Sequence, residues 1–151
     1  MRKFLLLFMG VLLLTSCGSN KTKTKIDLSE FSNIASTNLF LVNDNMDSYI
    51  DIDYILGAKK AILDDISVEM IVYTDDESTN KVQNSQINNF KTIKSTAATE
   101  NREKGQNYYK FWMVSNGYYM VSSRVDDTLV FSKTLLKNKE KVEKLLEDLG
   151  Y

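Results

Sequence analysis

The sequence contains no histidine, no proline and only one cysteine among 151 residues, and its 19 basic and 20 acidic side chains leave a formal net charge of −1. Each shortage closes a class of chemistry. Without histidine there is no Ser-His-Asp or Cys-His nucleophile, no imidazole base near neutral pH and no His-ligated zinc. A lone cysteine excludes an internal disulfide, a CxxC redox pair and a thiolate cluster. The balanced charge lacks the basic stripe of a nucleic-acid-binding domain, so no nucleic-acid partner is expected. No cofactor motif is present. The length suits a single domain.

What is present begins at the first residues. Arg2 and Lys3 precede an uncharged run from Phe4 to Leu14. Eleven residues are too few to span a bilayer core, which needs about 20, but they suit the apolar region of a signal peptide. The run ends in Leu14-Thr15-Ser16-Cys17, which resembles the lipobox of bacterial lipoproteins. That resemblance implies cleavage after Ser16 and acylation at Cys17, leaving a protein held at the cell membrane by lipid and facing the extracytoplasmic side. A single acyl chain binds only marginally, so two or three are needed for stable attachment. The expected division is a signal peptide over 1–16, a lipidated Cys17 with a polar tether over 17–25, and one folded domain over 26–151. Removing the signal takes away two cations, so the mature chain carries 17 basic and 20 acidic groups.

Hydrophobic periodicity organises the remainder. Leu28, Phe31, Ile34 and Ala35 recur at helical spacing behind a capping residue, Asp27 or Ser29, and the helix ends near Asn38. Residues 43–57 are acidic and carry no clear period. Two antiparallel strands, 58–63 and 66–74, flank the Asp64-Asp65 turn. In that register Leu63, Ala61, Ile66, Val68, Met70 and Val72 share one face, and Lys60 lies opposite Glu69 on the other. Thr74-Asp-Asp-Glu77 has the spacing of a capping box, opening a helix that carries Val82, Gln86, Ile87, Phe90 and Ile93 and runs to about Lys94. Residues 95–106 read as a polar loop.

A three-stranded meander follows over 107–115, 118–125 and 128–134. Asn116-Gly117 suits a type I′ turn, where both central residues need positive φ. One face of the meander collects Tyr109, Phe111, Met113, Tyr118, Met120, Leu129 and Phe131. The other collects Trp112, Val114, Tyr119, Val121 and Val130. With both faces apolar, these strands belong in the interior of a sheet. Val142, Leu145, Leu146 and Leu149 then mark a closing helix, ended by Gly150. The reading is an α+β fold: an antiparallel sheet with helices packed on it, in the order α-ββ-α-βββ-α.

Asn107-Tyr-Tyr-Lys110, Ser115-Asn-Gly-Tyr-Tyr119, Val121-Ser-Ser-Arg-Val-Asp-Asp-Thr128 and Leu149-Gly-Tyr151 resemble a group of small uncharacterised lipoproteins of low-GC Gram-positive bacteria. The motifs are a hairpin, a turn and a helix end, so the resemblance implies fold and location, not activity.

Charge is uneven along the chain. Ten acidic residues lie between Asp44 and Glu77 against Lys59 and Lys60, whereas 78–124 holds seven basic residues against Glu100 and Glu103. Asp51-Ile-Asp53 starts like a calcium loop, but Ile55, the late Gly57 and Ile62 break the ligand pattern, so no metal site is expected. Six of the sixteen aromatic residues fall between Tyr108 and Tyr119. Trp112, Tyr118 and Tyr119, with Arg124, are the candidate binding surface; the alternative for the aromatics is core packing. Arg124 either clamps an anionic ligand or pairs with the neighbouring Asp126-Asp127 turn. For catalysis only carboxylates, lysines, tyrosines and hydroxyls remain, and a domain of this size has little room for a deep cleft. The leading expectation is a non-catalytic, membrane-anchored module binding an envelope protein or glycan. The alternatives are a carboxylate-dependent cell-envelope hydrolase and an accessory subunit of an envelope complex.

Overall fold

The computed structural model describes residues 21–151; the segment expected to be a signal peptide, and Cys17, lie outside the described residues. Helix α1 (Leu28–Thr37) opens on a reciprocal cap. The Asp27 carboxylate accepts from the Ser29 and Glu30 N–H groups at 2.7 and 2.8 Å, and Glu30 accepts from the Asp27 N–H at 3.0 Å. These bonds satisfy donors that the first turn of any helix leaves without partners. Helix α2 (Asp76–Thr92) starts one residue later than the Thr74 spacing predicts. Its cap is Asp75, which accepts the Ser78 N–H at 2.7 Å. A carboxylate at this position also complements the helix dipole, which a threonine hydroxyl does not. Helix α3 (Lys139–Asp148) ends where Gly150 takes φ 80°, as its sequence position implies.

Seven strands form one antiparallel sheet: β1 (Leu41–Asp44), β2 (Ile55–Leu63), β3 (Ile66–Tyr73), β4 (Thr99–Lys104), β5 (Tyr108–Ser115), β6 (Tyr118–Val125) and β7 (Thr128–Leu135). Their order is β1-β2-β3-β7-β6-β5-β4. The α+β class and the register of both hairpins follow the sequence reading: Ala61 lies opposite Val68, Lys60 opposite Glu69, and Ser115 opposite Tyr118. Asn116 and Gly117 take φ values of 51° and 79°, as a type I′ turn demands. Two strands escaped the sequence reading. β4 comes from the segment read as a loop. Its residues, Thr-Glu-Asn-Arg-Glu-Lys, offer no apolar face, because this edge strand is held by its ladder to β5 and stays wet. Charged side chains on such an edge discourage strand-to-strand aggregation. β1 is only four residues long, too short to show a period. Between β1 and β2 a short helical turn at Met46–Tyr49 fills part of the unassigned acidic stretch.

Both sheet faces are covered. On one, α1 and α3 bury Phe31, Ala35, Val142, Leu145 and Leu146 against Ala61, Val68, Val121 and Val130. Each buried Phe, Val or Leu among these contributes about 1.5–3 kcal/mol. On the other, α2 lays Ile87 and Phe90 on Phe111, Met113 and Met120. There the 46–54 segment covers Ile55, Ala58 and Ile71 with Met46, Tyr49 and Ile52. Gln83, a residue with no apolar signature, is 1% exposed and ties α2 to the sheet, donating to the carbonyls of Tyr109 (2.9 Å) and Ser122 (3.2 Å). The far end of α2 is held by the β5–β6 hairpin, whose Asn116 donates to the Ile93 carbonyl at 2.9 Å.

Part of the segment read as a tether is hydrogen-bonded to the domain. The Lys23 N–H donates to Asn107 at 3.0 Å, Asn107 returns a bond to the Lys23 carbonyl at 2.8 Å, and the Gln106 N–H donates to the Lys21 carbonyl at 2.9 Å. Lys25 closes on the Asp127 carboxylate at 2.6 Å. Among the described residues no helix is long and apolar enough to cross a membrane.

Candidate functional site

Helix α2 packs chiefly on β6, with lesser contact to β7 and β3, while the 46–54 segment sits on β2. Two covers on one sheet face leave a gap between them. That gap is a cleft of about 430 Å³ floored by Ile71 and Tyr73 of β3 and Phe131 of β7. Tyr49, Ile52 and Tyr54 form one wall, and Lys81, Val82, Ser85 and Gln86 of α2 form the other. A second cavity of about 250 Å³ shares Gln86 and Phe131 with the first and reaches Lys60, Glu69 and Lys133. The lining of the first cleft is mostly apolar and aromatic with a few polar groups, the usual make-up of a small-molecule site, whereas the second cavity is lined mainly by polar side chains.

Glu69 is the chemical centre of this region. It is 8% exposed and accepts hydrogen bonds from the Asn45 amide and the Tyr49 hydroxyl. Lys60 lies across the β2–β3 ladder as the sequence predicts, yet no ion pair joins it to Glu69 among the described residues. The carboxylate has turned to the covering segment and found neutral donors there. Among the described residues that line the two cavities, Glu69 is the one carboxylate. Among the described residues no group of three or more acidic, histidine or cysteine side chains is placed to hold a metal ion.

The tyrosines differ in their satisfaction. Burial, the bond to Glu69 and its negative charge all push the Tyr49 phenol above the ordinary tyrosine range. Tyr73 is fully buried and pushed the same way by burial, then by Tyr54 and Glu69. Its ring stacks on Tyr54 with centroids 6.2 Å apart. The Tyr73 hydroxyl and the Gln86 side-chain carbonyl are buried with no hydrogen-bond partner among the described residues. An unmet buried polar group costs about 1–3 kcal/mol, and both of these residues line the same cleft.

No family model and no curated protein matches the chain. Among solved structures it is similar to a GTP binding regulator from Thermotoga maritima, at 19% identity and a TM-score of 0.49, over 83% of this chain and 88% of that one.

The residues singled out in the sequence are not brought together. Tyr119 is fully buried beneath α3, with Lys139 5.8 Å from its ring centre, and Trp112 packs partly buried on the same face. Tyr118 projects to the opposite face, 38% exposed, under Lys133. Strand alternation separates them: Tyr118 and Tyr119 are consecutive, so one must point away from the other. There is accordingly no shared aromatic platform. The local ion pair of Arg124 is also corrected. Asp127 is taken by Lys25 and Asp126 by Asn107, and Arg124 enters no ion pair among the described residues. Cys17 lies outside the described residues. The cleft itself is missed by the sequence reading, which places Glu69 opposite Lys60 on the second face of the hairpin as a cross-strand charge pair. The signal was there: Ile71 and Tyr73 share that face with Glu69, and a strand apolar on both sides is covered on both sides.

Proposed function

We propose that this chain is a membrane-anchored extracytoplasmic lipoprotein whose domain is a non-catalytic binding module, taking a neutral, ring-bearing ligand such as an envelope glycan into the α2 cleft. The observation that carries the binding site is the pairing of an unsatisfied Tyr73 hydroxyl with an unsatisfied Gln86 carbonyl in an aromatic cleft. A pyranose ring supplies hydroxyls to both and an apolar face to stack on Tyr54, which is 43% exposed. A hydrolase of the two-carboxylate type needs acids on both sides of the scissile bond, about 5–9.5 Å apart. Glu69 has no acidic partner in the cleft and is already committed to Asn45 and Tyr49. The lipobox around Cys17 supports the anchor.

Two measurements test this. Cys17→Ala should release the protein from the membrane fraction, and full retention would refute the lipid anchor. Titration with neutral N-acetylglucosamine oligomers should shift the amide resonances of Tyr73 and Gln86, an effect Tyr54→Ala removes; shifts elsewhere only would refute the cleft. An accessory-subunit reading is favoured by one specific observation. Leu39, Leu41, Ile50, Tyr54 and Leu56, five of the eight exposed large apolar residues among the described residues, fall in the stretch around edge strand β1. On that reading a partner protein co-purifies after mild detergent extraction and is lost with Leu41→Lys.

A further inference from the structure

We infer that Arg124 is the centre of a phosphate-binding site, separate from the α2 cleft and formed where α2 overhangs the ends of β4, β5 and β6. The half-buried guanidinium lines a concavity of about 280 Å³ together with Asn80 and Asn84 of α2, Lys104 of β4 and Tyr109 of β5. The Arg124 Nε is buried and makes no hydrogen bond among the described residues. A buried guanidinium donor without an acceptor is costly, because water has been removed from a group that cannot shed its charge.

The neighbouring acids do not meet this demand. Asp127 is held by Lys25, Asp126 by Asn107, and Glu100 by Lys94 at 2.8 Å, and Glu103 accepts from the Tyr108 hydroxyl. Among the described residues no carboxylate lines the concavity. The lining also selects among anions. An arginine fork satisfies the two oxygens of a carboxylate by itself. Here two carboxamides, a phenol and a second cation surround the fork. That donor set matches the additional oxygens and charge of a phosphate. Asn84 donates to Asn80 at 3.4 Å, a long bond that leaves its amide easily redirected.

The phosphate could belong to a free phosphoryl compound or to a phospholipid headgroup, since the concavity lies at the same end of the sheet as the docked Lys21–Lys25 segment. The test uses the full chain in neutral maltoside micelles, titrated with inorganic phosphate and followed by the Arg124 side-chain Nε–H resonance. Phosphate should shift that resonance saturably, with acetate binding more weakly. Arg124→Gln should weaken binding by about 10- to 100-fold, as loss of charged hydrogen bonds implies. Asn84→Asp places a carboxylate beside the guanidinium at an exposed helix position, so it should abolish phosphate binding in a folded chain whose thermal transition is no lower than the wild type's. Phosphatidylglycerol added to the micelles separates the sources: competition with inorganic phosphate assigns a lipid headgroup, and indifference assigns a soluble phosphoryl ligand. No saturable shift in the wild-type chain, or undiminished binding in Asn84→Asp, would overturn the site.

Discussion

Removing one hydroxyl from each of two tyrosines in the same cleft should change stability in opposite directions. Tyr73→Phe deletes a buried hydroxyl with no partner among the described residues and leaves the ring and its stacking on Tyr54 in place. The desolvation penalty disappears, so the ligand-free protein should gain about 1–3 kcal/mol. Tyr49→Phe removes a donor from the buried Glu69 carboxylate, which keeps only Asn45. Hydrogen bonds to charged groups contribute about 1.5–3 kcal/mol, so this variant should lose that much. For a domain of this size each kcal/mol moves the melting temperature by about 3–5 °C. Urea unfolding at neutral pH, followed by circular dichroism, gives both values on one scale, with unchanged m-values as the check that the unfolded state is not altered. The two midpoints should fall on either side of the wild type. If Tyr73→Phe is destabilised as much as Tyr49→Phe, the Tyr73 hydroxyl is satisfied in the free protein and the cleft is not poised for a ligand. The gain also carries a functional cost: the stabilised variant should bind its ligand more weakly.

Leu145→Ala should cost about 2–5 kcal/mol by chemical denaturation, since Leu145 is fully buried where α3 meets the sheet. Gly117→Ala forces a side chain into φ 79° and should cost about 1–2 kcal/mol, whereas the opening around it leaves no steric clash to add to that. Tyr49, Tyr73, Tyr119 and Tyr151 are all pushed upward chiefly by burial. A raised folded-state value means the native protein holds these protons after the unfolded chain has released them. Stability is therefore intact below about pH 10 and falls above it by up to about 1.4 kcal/mol per pH unit for each tyrosine. Tyrosinate absorbance should show these four groups ionising together with loss of the circular-dichroism signal; smooth ionisation ahead of unfolding would contradict their burial.

Legibility in the sequence followed apolar pattern and turn chemistry. Ala61 through Val72 and Tyr109 through Phe131 alternate so consistently that their register and sheet faces could be read directly, and Asn116-Gly117 and Gly150 marked ends with a single required φ. β4 was invisible because an edge strand exposed to water has no reason to carry apolar residues. Cleft and phosphate site were obscured for another reason. Glu69 and Arg124 look like surface charges in one dimension, and only the placement of the 46–54 segment and of α2 removes water from them. Tyr119 failed as a surface candidate by the converse effect, since α3 arrives from far along the chain to cover it.

The strand order has a consequence for how the molecule moves. Every ladder but one joins strands adjacent in sequence; the β3–β7 ladder, Val68–Val72 against Thr128–Ser132, joins distant parts of the chain. The sheet is thus two locally closed meanders zipped along a single seam. Hairpins close quickly, while a seam between remote strands waits on a long loop, so it is the natural last step of folding and first line of opening. The α2 cleft lies across that seam, with Ile71 and Tyr73 on one side and Phe131 on the other. A molecule seated there touches both meanders at once and acts as a clasp, so the amides of Val68–Val72 should exchange more slowly when the cleft is filled.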